Sequence, residues 1–199
     1  MIPPIKIQGI KTKLVPLIAK HMRLDADTQW IEPFMGSGVV GFNLAPKRAI
    51  FNDLNLHLIA FYEAIQKQTI TTEIARKYLE SEGEKLKIGD DSYYYEVRDR
   101  FNKEHDPLDF LFLNRSGFNG MIRFNRDGHF NVPYGHKPER FAKAYITKIV
   151  HQIEHVADRI LHSDWKFYHL SFDEVIAMAD KQSFIYCFIG LSALSDNWN

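Results

Sequence analysis

The stretch Trp30-Ile31-Glu32-Pro33-Phe34-Met35-Gly36-Ser37-Gly38-Val39-Val40-Gly41 constrains this chain most. An apolar strand end runs into a glycine-rich turn and then into an apolar helix start. Glycine permits the tight turn and the close approach of backbone to a ligand, and the following helix N-terminus offers unpaired N–H groups to polar or anionic atoms. Gly36, Gly38 and Gly41 satisfy G-x-G-x-x-G literally, a pattern that carries weight only between a strand and a helix. Ala49-Ile50-Phe51-Asn52-Asp53 supplies the next strand. An acid at that strand end accepts hydrogen bonds from ribose hydroxyls in α/β nucleotide folds. Asp53 is therefore the first expected ligand contact, while Asn52 and Asp53 would also serve to cap a helix beginning near Asn55. In a nicotinamide-binding fold the strand usually runs straight into the first glycine. Here Glu32-Pro33-Phe34-Met35 lengthens the loop and favours another adenosine ligand.

Around this nucleus the pattern predicts alternating helices and strands, hence a parallel sheet. Leu14, Leu17, Ile18 and Met22 give a first helix, preceded by cations at Lys6, Lys11 and Lys13 that oppose a helix dipole and so invite a functional reason. Val39–Leu44 and Asn55–Lys67 follow as helices. Thr71–Lys87 reads as a charged amphipathic helix with Ile74, Tyr78 and Leu79 inward, a solvated spacer, and Asp91–Glu104 as a second one with Tyr93, Tyr94, Val97 and Phe101 on its core face. Asp106-Pro107 starts another helix, and Arg140–Leu161 is a long one with an Ile146, Ile149, Val150, Ile153, Val156 stripe. Trp165–Leu170 is a third strand, Phe172–Ala179 a short helix and Ser183–Cys187 a fourth strand, all apolar and so expected to be buried.

With 199 residues and 45% hydrophobic content, one domain with a small subdomain is expected. Lys+Arg and Asp+Glu both number 25, so a nucleic-acid face has to come from local clustering. The single Cys187 excludes an internal disulfide framework and a cysteine-rich zinc site, and fits a reducing cytoplasm. His151, His155 and His162 lack convergent partners, so no metal is expected. Met1–Lys6 has no apolar signal region and no run approaches membrane-spanning length, so a cytoplasmic protein without a membrane partner is expected.

Local clustering occurs between Phe110 and Gly135, which reads Phe-Leu-Phe-Leu-Asn-Arg-Ser-Gly-Phe-Asn-Gly-Met-Ile-Arg-Phe-Asn-Arg-Asp-Gly-His-Phe-Asn-Val-Pro-Tyr-Gly. An apolar helix gives way to a hairpin turning at Asp127-Gly128. Arg115, Arg123 and Arg126 alternate with Phe118, Phe124 and Phe130 and with Asn114, Asn119, Asn125 and Asn131. Arginine pairs with guanine edges and phosphates, asparagine with adenine edges, and an aromatic ring wedges into a base stack. A compact hairpin of this content can read a short DNA site while the whole chain stays neutral.

Two stretches together resemble the Dam-type (D12 class) adenine-specific DNA methyltransferases. Glu-Pro-Phe-x-Gly-x-Gly resembles their S-adenosylmethionine (SAM) motif, and the run from Asn114 to Gly135 their target-recognition hairpin. The resemblance implies an α/β, Rossmann-like SAM-dependent methyltransferase sheet with a helical and β-hairpin DNA-recognition insert. Residues 1–70 and 163–199 would form the SAM-binding core and 71–162 the insert. It implies SAM contacts at Gly9, Lys11, Glu32, Pro33, Phe34, Gly36, Gly38, Asp53 and Phe172. DNA contacts are implied at Asn114, Arg115, Phe118, Asn119, Arg123, Asn125, Arg126, Asn131 and Pro133. Double-stranded DNA is the implied partner, with a cognate restriction endonuclease as a second. The family's catalytic Asp-Pro-Pro-Tyr should follow Cys187, yet the chain continues Phe188-Ile189-Gly190, with Phe188 in the place of the motif's aromatic residue. The later sheet strands are missing too, as after a frameshift or deletion. The expectation is a chain without its catalytic acid, inactive in methyl transfer, with Ser183–Cys187 as an apolar edge open to self-association. Two alternatives stand beside this one. A non-catalytic SAM- or DNA-binding remnant has the same fold, and a nicotinamide-dependent oxidoreductase shares the glycine pattern but has no use for the hairpin.

Overall fold

In the computed structural model, residues 1–187 are described apart from residues 23 and 26 and the side chain of residue 90. A 3-10 turn at Thr12–Leu14 leads into helix α1, Val15–His21. Strand β1, Gln29–Glu32, ends at the glycine loop, and helix α2, Val39–Leu44, follows it. Strand β2, Arg48–Asn52, lies parallel to β1 with Trp30 opposite Ala49 and Ile31 opposite Ile50. Helix α3, Leu56–Gln66, then crosses back. This portion matches the periodicity of the sequence to within a residue or two.

The next segment departs from it. Thr72–Glu104 is one continuous helix of 33 residues, α4, where the sequence predicts two. Gly89 costs only about 1 kcal/mol against alanine in a helix interior. The buried stripe Ala75, Leu79, Leu86, Tyr94, Val97 and Phe101 keeps helical spacing straight through it. Ile74, expected inward, is 41% exposed, because that stripe runs one residue later. Nor is α4 a solvated spacer. Its Glu82 is buried, and Arg100 donates to Glu82 Oε2 at 3.0 Å. Arg100 also grips both carboxylate oxygens of Asp109, at 2.8 and 2.5 Å. Asp109 lies on helix α5, Pro107–Ser116, whose start is capped by Asp106 accepting from Leu108 N at 2.7 Å. A guanidinium bonded to two buried acids fixes the α4–α5 pair, and removing it would leave uncompensated buried charge.

After α5 the chain forms an antiparallel excursion, but with isolated bridges at Gly117–Tyr134 and Phe124–Phe130 in place of a continuous ladder. Its tip turns at Asp127-Gly128, closed by Gly128 N donating to Asn125 O at 3.1 Å. A separate 3-10 turn, Pro138–Phe141, precedes helix α6, Lys143–Leu161, which therefore starts three residues later than the sequence predicts. Extended Ala142 divides the two. Strand β3, Asp164–Tyr168, helix α7, Phe172–Ile176, and strand β4, Ser183–Ile185, complete the described chain. The sheet is wholly parallel in the order β3-β2-β1-β4. Strand order therefore reverses beside β1, where open α/β sheets bind ligands beyond the carboxyl ends of their strands. This is a Rossmann-like α/β architecture.

One face of the sheet carries the main core, an aromatic stack in which Phe42 lies 5.4 Å from Trp165 and Phe51 5.5 Å from Phe167. Among the described residues, the other face holds only Ile31, Ile50 and Val175 as buried apolar residues. The expectation of a buried fourth strand is not met, since Phe184 and Ile185 are 40% and 36% exposed. The reason is position: β4 pairs with β1 alone among the described residues. No helix among the described residues is long and apolar enough to cross a membrane.

Candidate functional site

The glycine loop is pinned from below by four side chains on three elements. At the end of β1, Glu32 is buried and accepts from Trp30 Nε1 at 3.0 Å and Gly41 N at 3.2 Å. Glu32 thus faces into the protein and ties the strand to α2. Burial pushes its carboxyl up to about 8. Asp53 accepts from Gly36 N at 2.9 Å with one oxygen and from Asn55 N at 2.9 Å with the other. Tyr62, fully buried on α3, donates to Ser37 O at 3.0 Å. Asn52 does not cap α3; its amide donates to Pro33 O and Leu170 O, each at 3.0 Å, while its oxygen accepts from Leu170 N at 2.9 Å. The cap is Asn55, which accepts from His57 N and Leu58 N. Gly36 and Gly38 have φ of +51° and +70°, the left-handed region that favours glycine.

Above this frame lies a cavity of about 310 Å3 lined by Ile7, Gln8, Gly36, Asp53, Asn55, Leu58, Met121 and Ile122. Four segments separate in sequence, the N-terminal stretch, the glycine loop, the start of α3 and the recognition segment, therefore share one space. Asp53 is half-buried, and desolvation raises its pKa while the Asn55 and Gly36 amides oppose that. Phe34 and Phe172 face each other at 5.8 Å between ring centroids, with Phe172 half exposed. Pro33, adjacent to Phe34 in sequence, is held through its carbonyl by the Asn52 amide. Gly9 and Lys11 lie on the N-terminal segment beside the cavity without lining it. The Lys11 ammonium folds back over Gly9, 3.4 Å from where a Cβ would stand.

The glutamate at the loop sets one pH dependence. Its folded-state pKa of about 8 exceeds the ordinary 4.5, so folding favours the protonated form. The associated stability is complete below about 4.5 and is lost as pH rises through about 8. Glu32→Gln keeps an oxygen for Trp30 and Gly41 and cannot ionise. It is expected to melt close to the parent at pH 5 and several degrees above it at pH 9, in thermal unfolding followed by circular dichroism.

The expected DNA contacts divide into two groups. Asn114 and Arg115 are not at a surface. Asn114 donates to Lys6 O at 2.9 Å and Gly120 O at 3.2 Å and accepts from Lys6 N at 2.8 Å. Arg115 donates to Pro4 O and, at 2.7 Å, to Gln152 Oε1. Its guanidinium is pulled down to about 10 by burial. Both residues tie the N-terminal segment under the recognition segment instead of pointing at a ligand. Phe118, Asn119, Arg123, Asn125, Arg126 and Pro133 are exposed, and Asn131 is half-buried. Some of these also hold the tip together. Arg123 Nε donates to Asn131 Oδ1 at 2.7 Å, and Asn125 Oδ1 accepts from Asp127 N and His129 N at 3.0 and 2.9 Å. Arg126 has no hydrogen bond or ion pair among the described residues and projects at the apex.

Sequence reasoning missed Tyr62, whose apolar setting hides its hydroxyl's role, and a cationic neighbourhood around Lys6. That half-buried amine is pulled down to about 8 by burial and by Arg115, Arg140, Lys148 and Lys137. Only the fold brings these cations together. Phe188, the position read against the catalytic motif, lies outside the described residues.

A sequence model of the D12 class N6 adenine-specific DNA methyltransferases matches residues 8–187. DNA adenine methylase of Escherichia coli K12 is 34% identical over 188 residues, which cover 92% of this chain and 62% of that protein. The Salmonella typhi protein of the same name is 32% identical with the same coverage. A type II methyltransferase of Methanocaldococcus jannaschii is 30% identical over 206 residues, covering 92% of this chain and 67% of its own length. The chain thus spans about 62% of the length of the DNA adenine methylases it matches. With a glycine loop, a strand-end acid and the start of the recognition segment meeting at one cavity, and a family match over nearly its whole described length, the chain belongs to the D12 class N6 adenine-specific DNA methyltransferase family.

Proposed function

We propose that this chain holds SAM between the glycine loop and the recognition segment, and duplex DNA on the exposed tip of that segment. It would be the cofactor- and target-binding portion of a site-specific, adenine-specific DNA methyltransferase. The observation that carries this reading is the shared cavity. Gly36 and Asp53, which suit an adenosine ligand, face Met121 and Ile122 of the segment whose side chains suit bases. Asp53 accepts from the ribose hydroxyls, and the Phe34 and Phe172 rings offer faces to adenine. Residues 71–162 act as the recognition insert on a core formed by 1–70 and 163–199.

The exocyclic amine of adenine is reached only after the base leaves the duplex stack. Phe118 is an exposed ring suited to wedge into the stack, Asn119 and Arg123 suit base edges, and Arg126 suits a phosphate. When bound, SAM would supply the methyl group: its S–CH3 bond would break to leave S-adenosylhomocysteine as the N–C bond forms, and the amine would release one proton to solvent. A carboxylate accepting a hydrogen bond from that amine belongs, by the family resemblance, directly after Cys187, where this chain has Phe188. The last described residues, Tyr186 and Cys187, include no acid. The proposal for the 199-residue chain is therefore binding of both ligands without turnover.

Calorimetric titration with SAM and with a nicotinamide dinucleotide tests the pocket, and heat from SAM alone is the expected result. No heat with SAM sinks the reading. Transfer of radiolabelled methyl to adenine-containing duplex, abolished in an Asp53→Ala variant, would overturn the binding-only part. For the tip, Arg126→Ala is expected to weaken binding of all duplexes alike and to flatten the log–log salt dependence by about one. Fluorescence anisotropy over a salt series reads this, and an unchanged slope removes Arg126 from the interface.

A further inference from the structure

His57 lies in the first turn of α3, two residues beyond Asn55 and beside Leu58, both of which line the cavity. Its ring is buried at 6% exposure and stacks on Phe124, with centroids 5.0 Å apart and planes 18° from parallel. Phe101 closes the slot edge-on at 4.9 Å, and Phe110 stands at 6.1 Å. Nδ1 of His57 is buried with no hydrogen-bond partner. An unpaired buried nitrogen is costly, and what an imidazole adds to such a slot over an apolar ring is the ability to take up charge.

The partner in the stack belongs to the recognition segment. Phe124 forms the bridge with Phe130 and sits between Arg123 and Asn125, which shape the exposed tip. Met121 and Ile122, just upstream of it, form the opposite wall of the cavity. The His57–Phe124 stack is thus where the α3 wall of the cavity is joined to the wall that carries the tip.

We infer that His57 is a positioning residue that sets the spacing of these two walls, so that filling of the cavity by cofactor and engagement of duplex DNA by the tip are thermodynamically coupled through its stack with Phe124. This rests on the function proposed above. A ligand seated between the walls favours one spacing, the spacing orients the tip, and such coupling works equally in both directions. The titratable groups facing His57 are His105, at the end of α4 and 4.9 Å away between ring centroids, and His169, after β3. Burial and these two neighbours hold His57 down to about 4, so it is neutral at pH 7. Acidification toward that value puts charge into the apolar slot and opposes the stack.

The test measures the SAM dissociation constant of the full 199-residue protein, alone and with saturating long mixed-sequence duplex, for the parent, His57→Ala and His57→Phe. In the parent, DNA is expected to tighten SAM binding, within the roughly 5- to 150-fold range usual for coupled sites. His57→Ala should bring that factor close to one while each separate affinity changes by less than about threefold, well inside the coupling it removes. His57→Phe, which keeps a ring, should restore the factor and abolish its weakening between pH 7 and pH 4.5. A merely structural role predicts a different pattern: lower melting temperature and weaker separate affinities in His57→Ala, with the coupling factor preserved. That pattern overturns the inference. Where His57→Ala does not fold, the pH comparison of parent and His57→Phe decides, and equal pH dependence overturns it as well. A parent that binds both ligands independently refutes the coupling but leaves the proposed function standing, whereas a parent that binds neither refutes both.

Discussion

Replacing Asp53 with alanine is expected to weaken SAM binding by roughly tenfold to more than a hundredfold. Loss of a charged hydrogen-bond acceptor costs about 1.5 to 3 kcal/mol, and each 1.4 kcal/mol or so is a factor of ten in affinity. The effect belongs at the upper end of that range because the carboxylate has two jobs. One oxygen receives Gly36 N at 2.9 Å and the other Asn55 N at 2.9 Å, so the side chain also holds the glycine loop against the start of α3. Truncation removes the acceptor for the ribose and releases the loop at once. Asp53→Asn keeps one of the two acceptor oxygens but sets an NH2 group against the other backbone amide and loses the charge, so an affinity between those of the parent and Asp53→Ala is expected. Desolvation raises the Asp53 pKa. SAM affinity in the parent should therefore fall on acidification at a higher pH than for an ordinary aspartate, a dependence absent from the asparagine variant. Calorimetry on the three proteins checks this, and an unchanged affinity in Asp53→Ala removes the residue from the pocket.

The parts of this site that were legible in the sequence are those whose cause is local. The strand, glycine turn and helix of residues 30–44 follow from apolar runs and from two positions that need positive φ. Asp53 follows from its place at the next strand end. What was misread depends on contacts between distant segments. Gly89 and its acidic neighbours look like a helix break, and the buried stripe from Leu86 to Tyr94 that carries α4 through them exists only because α5 and α6 pack on it. Asn114 and Arg115 look like surface base contacts, since their polarity says nothing of burial. Their partners are Lys6 and Pro4, more than a hundred residues earlier in the chain. Ser183–Ile185 shows the converse, an apolar run that reads as buried but, among the described residues, lies at the sheet edge. The resemblance placed Phe172 near the adenosine site, and the fold sets its ring against Phe34, a pairing that no spacing in the sequence encodes.

Gly41→Ala is expected to destabilise the protein by about 3 kcal/mol, the upper end of the usual cost of overpacking a core. For a chain of this size that lowers the melting temperature by about 6 to 12 °C. The cause is space, because Gly41 has no positive φ and alanine by itself favours a helix. A methyl group there would stand 2.3 Å from Phe51 Cε1 and 2.7 Å from Glu32 Oε2. Neither neighbour has room to give. Phe51 is fully buried, with Phe42 at 5.1 Å, Trp165 at 5.0 Å and Phe167 at 5.5 Å around it. Glu32 is held by Trp30 Nε1 and by the Gly41 amide itself. Relief therefore has to come from moving α2 away from the sheet, which also shifts the loop from Gly36 to Gly38 and weakens SAM binding. Gly128→Ala is the control. At the tip turn nothing lies within 4 Å of the added methyl, but φ is +77°, so the cost is a left-handed backbone alone, about 1 to 2 kcal/mol, with SAM affinity unchanged. Thermal melts and SAM titrations of both variants test the assignment, and a Gly41→Ala protein as stable as the parent would mean that α2 does not pack on β2 as described.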